Sequence, residues 1–133
     1  MGGEGRLVLQ GRVIKAGHAR GVALVSPEPL GFLGGVDPDT GVVVEPGHPL
    51  KGESVAGRVL VFPTGKGSTV GSYTLYRLAR NGVGPAAIIN VESEPIVAVG
   101  AIISDIPMVD QVDIAQLSTG DIVAVKDGVI QIE

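Results

Sequence analysis

Cysteine is absent from the 133 residues. No disulfide can brace the fold, and this chain alone can hold neither a zinc–thiolate site nor an iron–sulfur cluster. Histidine is scarce: His18 and His48 are the only two, too few for a dedicated histidine metal site. Basic residues number 10 against 14 acidic ones, for a net charge of −4. The basic stripe of a nucleic-acid-binding surface is therefore missing. No apolar run reaches the ~18 residues of a membrane span. Residues 1–11 lack the long apolar stretch of a signal peptide. Neither nucleic acid nor membrane is expected as a partner, and the expected address is the cytoplasm.

What is present is apolar and finely punctuated. Hydrophobic residues make up 44% of the chain, which excludes a disordered tail. Glycine (21) and proline (9) interrupt Val/Ile-rich runs, the texture of many short strands joined by tight turns. The length suits one domain over residues 1–133, large enough to bury about two-thirds of its unfolded surface. There is no internal repeat and no linker.

Along the chain, residues 6–15 alternate in part and begin a strand, with 19–26 as its expected partner. A long connection over 27–41 carries Phe32, one of only four aromatics, and ends in a turn from Asp37 to Gly41. A short strand is expected at 42–45 and irregular chain at 46–57. Residues 58–63, a continuous apolar run once past Arg58, read as a strand covered on both faces. A helix is expected from about Ser68 to Arg80, stopped by Asn81-Gly82, and a second buried strand at 86–90. Pro95 opens a second short helix with Ile96, Val99, Gly100 and Ile103 at helical spacing, followed by a strand at 106–109. Residues 121–126 and 129–132 flank Asp127-Gly128, a strong hairpin signal. The sequence reads as an α/β chain in three β/β/α layers. Its first and last parts close into a barrel or sandwich, and a parallel βαβ part carries short helices on one side.

The most informative stretch is Gly65-Lys66-Gly67-Ser68-Thr69, between a buried strand and a helix. Glycines allow close backbone approach, free N–H groups at a helix start favour an anion, and Lys66 adds a cation. Ser68 stands as N-cap or first-turn residue. An ordinary capped βα turn has the same composition, and a lone Lys66 is commonly a solvated surface lysine. Known motifs fail here. A Walker A loop would need glycine at Leu60 and Ser or Thr at Gly67, and a nucleophile elbow would need glycine at Lys66 and Val70. Gly65, Gly67 and Gly71, with Glu92, make only a relaxed dinucleotide fingerprint. A second candidate is Gly34-Gly35-Val36-Asp37-Pro38, which is also what a turn capped by the Asp37 side chain looks like. An EF-hand reading fails, because His48 stands where its final glutamate is required. His48 lies in a loop, where a histidine commonly stabilises a turn, and His18 has no supporting neighbours.

Several blocks together resemble a known family. They are Pro29-Leu30-Gly31-Phe32-Leu33-Gly34-Gly35-Val36-Asp37-Pro38, His48-Pro49-Leu50, Phe62-Pro63 with Gly65-Lys66-Gly67-Ser68, Asn81-Gly82 with Pro85-Ala86-Ala87-Ile88, and Gly100-Ala101-Ile102. In this order, over roughly 12–110, they resemble the small-subunit (swivel) part of the aconitase X family. Leu33 stands where that family often has tryptophan. The resemblance implies a swivelling β/β/α domain paired with a large aconitase X subunit as a heterodimer. It implies no cofactor on this chain and a 4Fe-4S cluster on the partner. It further implies a hydro-lyase acting on a small anionic substrate, with Ser68 as proton acceptor. Gly65, Lys66, Gly67, Thr69, Gly34, Gly35, Asp37 and His48 would line the site. The likeness is closest to the archaeal branch, which converts mevalonate 5-phosphate to trans-anhydromevalonate 5-phosphate on the way to isoprenoids. The bacterial branch acts on hydroxyproline. A stand-alone anion-binding module without catalysis is the reading from another class.

Overall fold

The structure, a computed structural model, describes residues 7–133. Its strands are β1 (Leu7–Gln10), β2 (Arg12–Lys15), β3 (His18–Val25), β4 (Val59–Phe62), β5 (Ala87–Asn90), β6 (Met108–Asp110), β7 (Ile122–Lys126) and β8 (Val129–Ile132). Its helices are α1 (Gly71–Arg80) and α2 (Pro95–Ile103), with a 3-10 turn at Ile114–Gln116. All eight strands form one sheet in the order β1-β8-β7-β3-β4-β5-β6-β2. The run β3-β4-β5-β6 is parallel, and the remaining neighbours are antiparallel.

The two ends of that order, β1 and β2, are separated in sequence by Gly11 alone. One residue spans only ~3.5 Å, so the sheet must curl until its edges nearly meet. The expected single strand over 6–15 is therefore two strands, and neither pairs with β3. β1 lies on β8, and β2 lies on β6. The break falls at Gly11 because no side chain fits there: a Cβ would sit 2.4 Å from the Asp110 backbone oxygen. The Asp127-Gly128 hairpin forms as its sequence predicts, with both residues at positive φ (46° and 91°).

Each central strand is buried on both faces and splits its side chains between two cores. Leu60, Phe62, Ile88 and Met108 face Leu75, Leu78, Val97 and Ala101 of the helices. Val59, Val61, Ala87, Ile89 and Val109 instead face Val123, Val125, Ile130 and Ile132 across the barrel. The result is the three-layer β/β/α body expected from sequence, with both helices on one side. Gly100 makes the helix contact close, since a Cβ there would meet Leu75 and Ser72 within 3.2 Å.

The expected strand at 42–45 does not form. Val42 and Val43 make only isolated bridges, to Ser54 and Val36. Between β3 and β4 the chain instead makes a long excursion whose shape comes from burial. Leu30, Phe32, Val36, Val43, Leu50 and Val55 all sink into the helix-side core, and Phe32 meets Phe62 edge-on with ring centroids 6.3 Å apart. Among the described residues no helix is long and apolar enough to cross a membrane.

Candidate functional site

β4 delivers the candidate loop to the carboxyl ends of the parallel strands, where ligands of open α/β sheets commonly sit. After Phe62 the chain bends at Pro63 and then makes an isolated bridge at Gly65. Leu30 pairs with it there in parallel fashion, its N–H donating to Thr64 O and its carbonyl accepting from Lys66 N–H, both at 3.2 Å. Gly67 then turns the chain at φ +103°. α1 begins later than the sequence predicts, at Gly71 rather than near Ser68, and its N-cap is Val70 with no side-chain cap. Ser68 therefore is not the N-cap. It closes the preceding turn, accepting from Gly71 N–H at its carbonyl (2.9 Å) and from Val70 N–H at Oγ (3.2 Å). Gly67, Ser68 and Thr69 are exposed, and their own backbone N–H groups donate to nothing among the described residues. Three open N–H groups beside an exposed hydroxyl, just before a helix, are donors of the kind that can receive an anion.

Parts of the long excursion form the second wall. Lys66 Nζ reaches Glu45 Oε2 at 2.8 Å. Gly31 packs flat on the loop, with its Cβ position 2.7 Å from Lys66 O, and that of Gly35 lies 3.4 Å from Glu45 Oε1. Leu33, half exposed, comes beside Gly71 at the start of α1. The structure thus links Gly35 to Lys66 through Glu45, a residue the sequence reading did not single out, while the Cβ position of Gly34 meets nothing within 4 Å. An acid 21 residues before Lys66 carries no local signal.

Two expected residues stand apart. The Asp37 carboxylate accepts from Asp39 N–H within its own turn (2.9 Å). That turn is tied to the far end of α1, where Asn81 Nδ2 donates to Pro38 O at 2.7 Å. A ten-residue helix is ~15 Å long, so Asp37 does not join Ser68. His48 is buried, and both ring nitrogens are occupied: Nε2 with Pro29 O (3.0 Å) and Nδ1 with Leu50 N–H (3.1 Å). Those contacts fix the tautomer with the proton on Nε2 and make His48 a brace behind Leu30. His18 lies remote, paired with Asp127.

The opposite wall, between β5 and α2, was missed by sequence reasoning. Glu94 caps α2, its Oε2 accepting from Ile96 N–H (2.6 Å). A Cβ on Gly65 would lie 2.5 Å from Val97 Cγ2 and 3.3 Å from Glu94 Oε1, so the loop rests directly on the first turn of α2. Asp110, fully buried at the end of β6, takes both forks of the Arg12 guanidinium (2.9 and 2.7 Å) and the Ser93 N–H (3.1 Å). The Arg12 hydrogen bonds, with help from Ser93, hold its carboxyl below the ordinary carboxylate value against the opposing pull of burial. Glu94-Pro95 was legible only as a helix start.

No group of three or more Asp, Glu or His side chains that could hold a metal occurs among the described residues, and there is no cysteine. The residues present do not fit an iron–sulfur cluster. A cavity of ≈ 350 Å³ beside Val25, Pro27, Ile114 and Leu117 is apolar and shares no residue with the loop.

A family model of the aconitase X swivel domain matches residues 8–132. This chain belongs to that family. The three layers described above are therefore those of an aconitase X swivel domain. The crystal structure of Thermococcus kodakaraensis aconitase X (holo-form) superposes with a TM-score of 0.94 at 54% identity, covering 96% of this chain and 98% of that one. Two similar proteins carry the name phosphomevalonate dehydratase small subunit. That of Methanosarcina acetivorans is 58% identical over 121 residues, 89% of this chain and 84% of its own length. That of Thermococcus onnurineus is 54% identical over 127 residues, 94% of this chain and 98% of its own.

Proposed function

We propose that this swivel domain is the small subunit of a two-subunit hydro-lyase that converts mevalonate 5-phosphate to trans-anhydromevalonate 5-phosphate. The names and identities of the relatives support that substrate. The observation that carries the chemistry is the exposed Ser68 hydroxyl beside the open N–H groups of Gly67, Ser68 and Thr69. The N–H groups hold an anionic part of the substrate, and Ser68 Oγ accepts the proton from the carbon next to the carboxylate. The hydroxyl on the neighbouring carbon leaves, and with one proton it departs as water.

Serine is a weak base until its surroundings activate it. A helix N-terminus contributes at most about 2 kcal/mol, a factor of about thirty in ionisation, which leaves the alkoxide scarce near neutral pH. Lys66, released from Glu45 or shared with it, supplies a further positive charge from this chain. The rest must come from the large subunit, so the site is complete only in the heterodimer. A 4Fe-4S cluster would be held wholly by that subunit, since this chain offers it no thiolate. Exposed Tyr73, Val99, Ile102 and Ile103 on the helix layer suit a chain that works against a partner. The proposed setting is the cytoplasm, because a phosphorylated substrate does not cross membranes unaided.

Co-expression with the large subunit, followed by dehydration assays on mevalonate 5-phosphate and on hydroxyprolines, tests the proposal. Turnover of mevalonate 5-phosphate is the expected result. Turnover of hydroxyproline alone would assign the other branch, and failure of the two chains to assemble would favour a stand-alone anion-binding module.

A further inference from the structure

A buried carboxylate oxygen without a donor lies directly under the serine loop. Glu94 uses Oε2 to cap α2, yet its Oε1 is buried and has no partner among the described residues. Leaving a buried acceptor unpaired is costly, more so when it is charged. A donor is close. Oε1 lies 3.3 Å from the Cβ position of Gly65, and Gly65 is buried. In a parallel pairing, N–H and C=O of successive residues point alternately to the two sides of the strand. Thr64 and Lys66 spend theirs on Leu30, so Gly65 turns its own N–H the other way, toward the connection that carries Glu94. That N–H donates to no group among the described residues.

We propose that Glu94 is the positioning residue of the serine loop: in the working complex Oε1 takes the Gly65 N–H and fixes the strand-to-helix turn that carries Ser68. The absence of a side chain on Gly65 has a purpose in this arrangement, since any Cβ would press on Val97 and Glu94 and lift the loop away. The proposal rests on Ser68 being the proton acceptor. Glu94 acts on catalysis only through where it places that hydroxyl.

The test is Glu94→Gln in the complex with the large subunit. The glutamine carbonyl can still accept from Ile96 N–H and cap α2, but its amide N–H₂ then faces the Gly65 N–H, donor against donor. Thermal stability and assembly should stay near wild type, KM should change little, and kcat should fall by about 10²-fold. Substrate should slow hydrogen exchange at the Gly65 amide in the wild-type complex and not in the Gln variant. Glu94→Ala, which loses cap and latch together, should melt earlier and lose kcat to a similar degree. A Gln variant with wild-type kcat, or one in which substrate protects Gly65 as in wild type, would overturn the positioning role. So would a fall in kcat that merely follows a fall in melting temperature. A wild-type complex that does not dehydrate the substrate would instead overturn the functional reading beneath it.

Discussion

Lys66 and His48 are both polar residues next to the same loop, and the structure gives them different work. Lys66 is about half exposed and shares its charge with Glu45, so an incoming anion can compete for it. Surface ion pairs of this kind contribute little to stability. Lys66→Ala should therefore leave the melting temperature nearly unchanged and raise KM for the phosphorylated substrate about tenfold, the scale of one charged hydrogen bond. An unchanged KM in steady-state kinetics would show that Lys66 serves only Glu45. His48 was legible as a loop histidine, and that composition could not say that both nitrogens would be spent on Pro29 and Leu50. Ser68 was legible as the N-cap or first-turn residue of a helix. Its displacement from the N-cap follows from the turn at Gly67, a backbone conformation that the neighbouring residues do not announce.

At the scale of elements, closure of the barrel depends on two devices within three residues of β1 and β2. Gly11 admits the Asp110 carbonyl where a side chain would stand. Gly11→Ala is expected to lower stability by about 1–3 kcal/mol, the cost of overpacking, as measured by urea unfolding; an unchanged midpoint would show that the edges can separate freely. Arg12 then clamps buried Asp110. A carboxyl held below its ordinary value in the folded chain contributes stability that is present above its unfolded value of about 3.9 and is lost as pH falls through the folded value. Asp110→Asn should therefore be less stable than wild type by about 1–3 kcal/mol at neutral pH. The difference should shrink in acid, once wild-type Asp110 is protonated. Urea midpoints measured across that range check the sign, and a gap that grows toward low pH would contradict it. The strands β4 and β5, the two helices and the last hairpin were readable from local pattern, because burial on both faces, Pro95 and Asp127-Gly128 each act within a few residues. The split of the first strand was not, because the atom that forbids a side chain at Gly11 comes from residue 110.

For the whole molecule, the three-layer body follows from that same local pattern, whereas the closed order of the sheet depends on pairings between its first and last strands. The long excursion between β3 and β4 has almost no regular structure, yet it buries six large apolar side chains in the helix-side core and brings Gly31 and, through Glu45, Gly35 to Lys66. Family resemblance gave a wider convergence as an expectation, with Gly34, Asp37 and His48 in it; composition alone gave none, since Glu45, the residue that joins the two walls, lies in an otherwise irregular stretch. The loop so placed offers an exposed hydroxyl, three open N–H groups and one shared lysine, and in the function proposed above these are this chain's share of the active site. The most direct test is steady-state dehydration of mevalonate 5-phosphate by the complex with the large subunit, wild type against Ser68→Ala. Ser68 Oγ makes one long hydrogen bond, so its loss should cost about 1 kcal/mol of stability or less and leave assembly intact, while turnover falls by about 10²–10⁴-fold. A well-folded, assembled Ser68→Ala complex that keeps most of its wild-type turnover would show that Ser68 is not the proton acceptor.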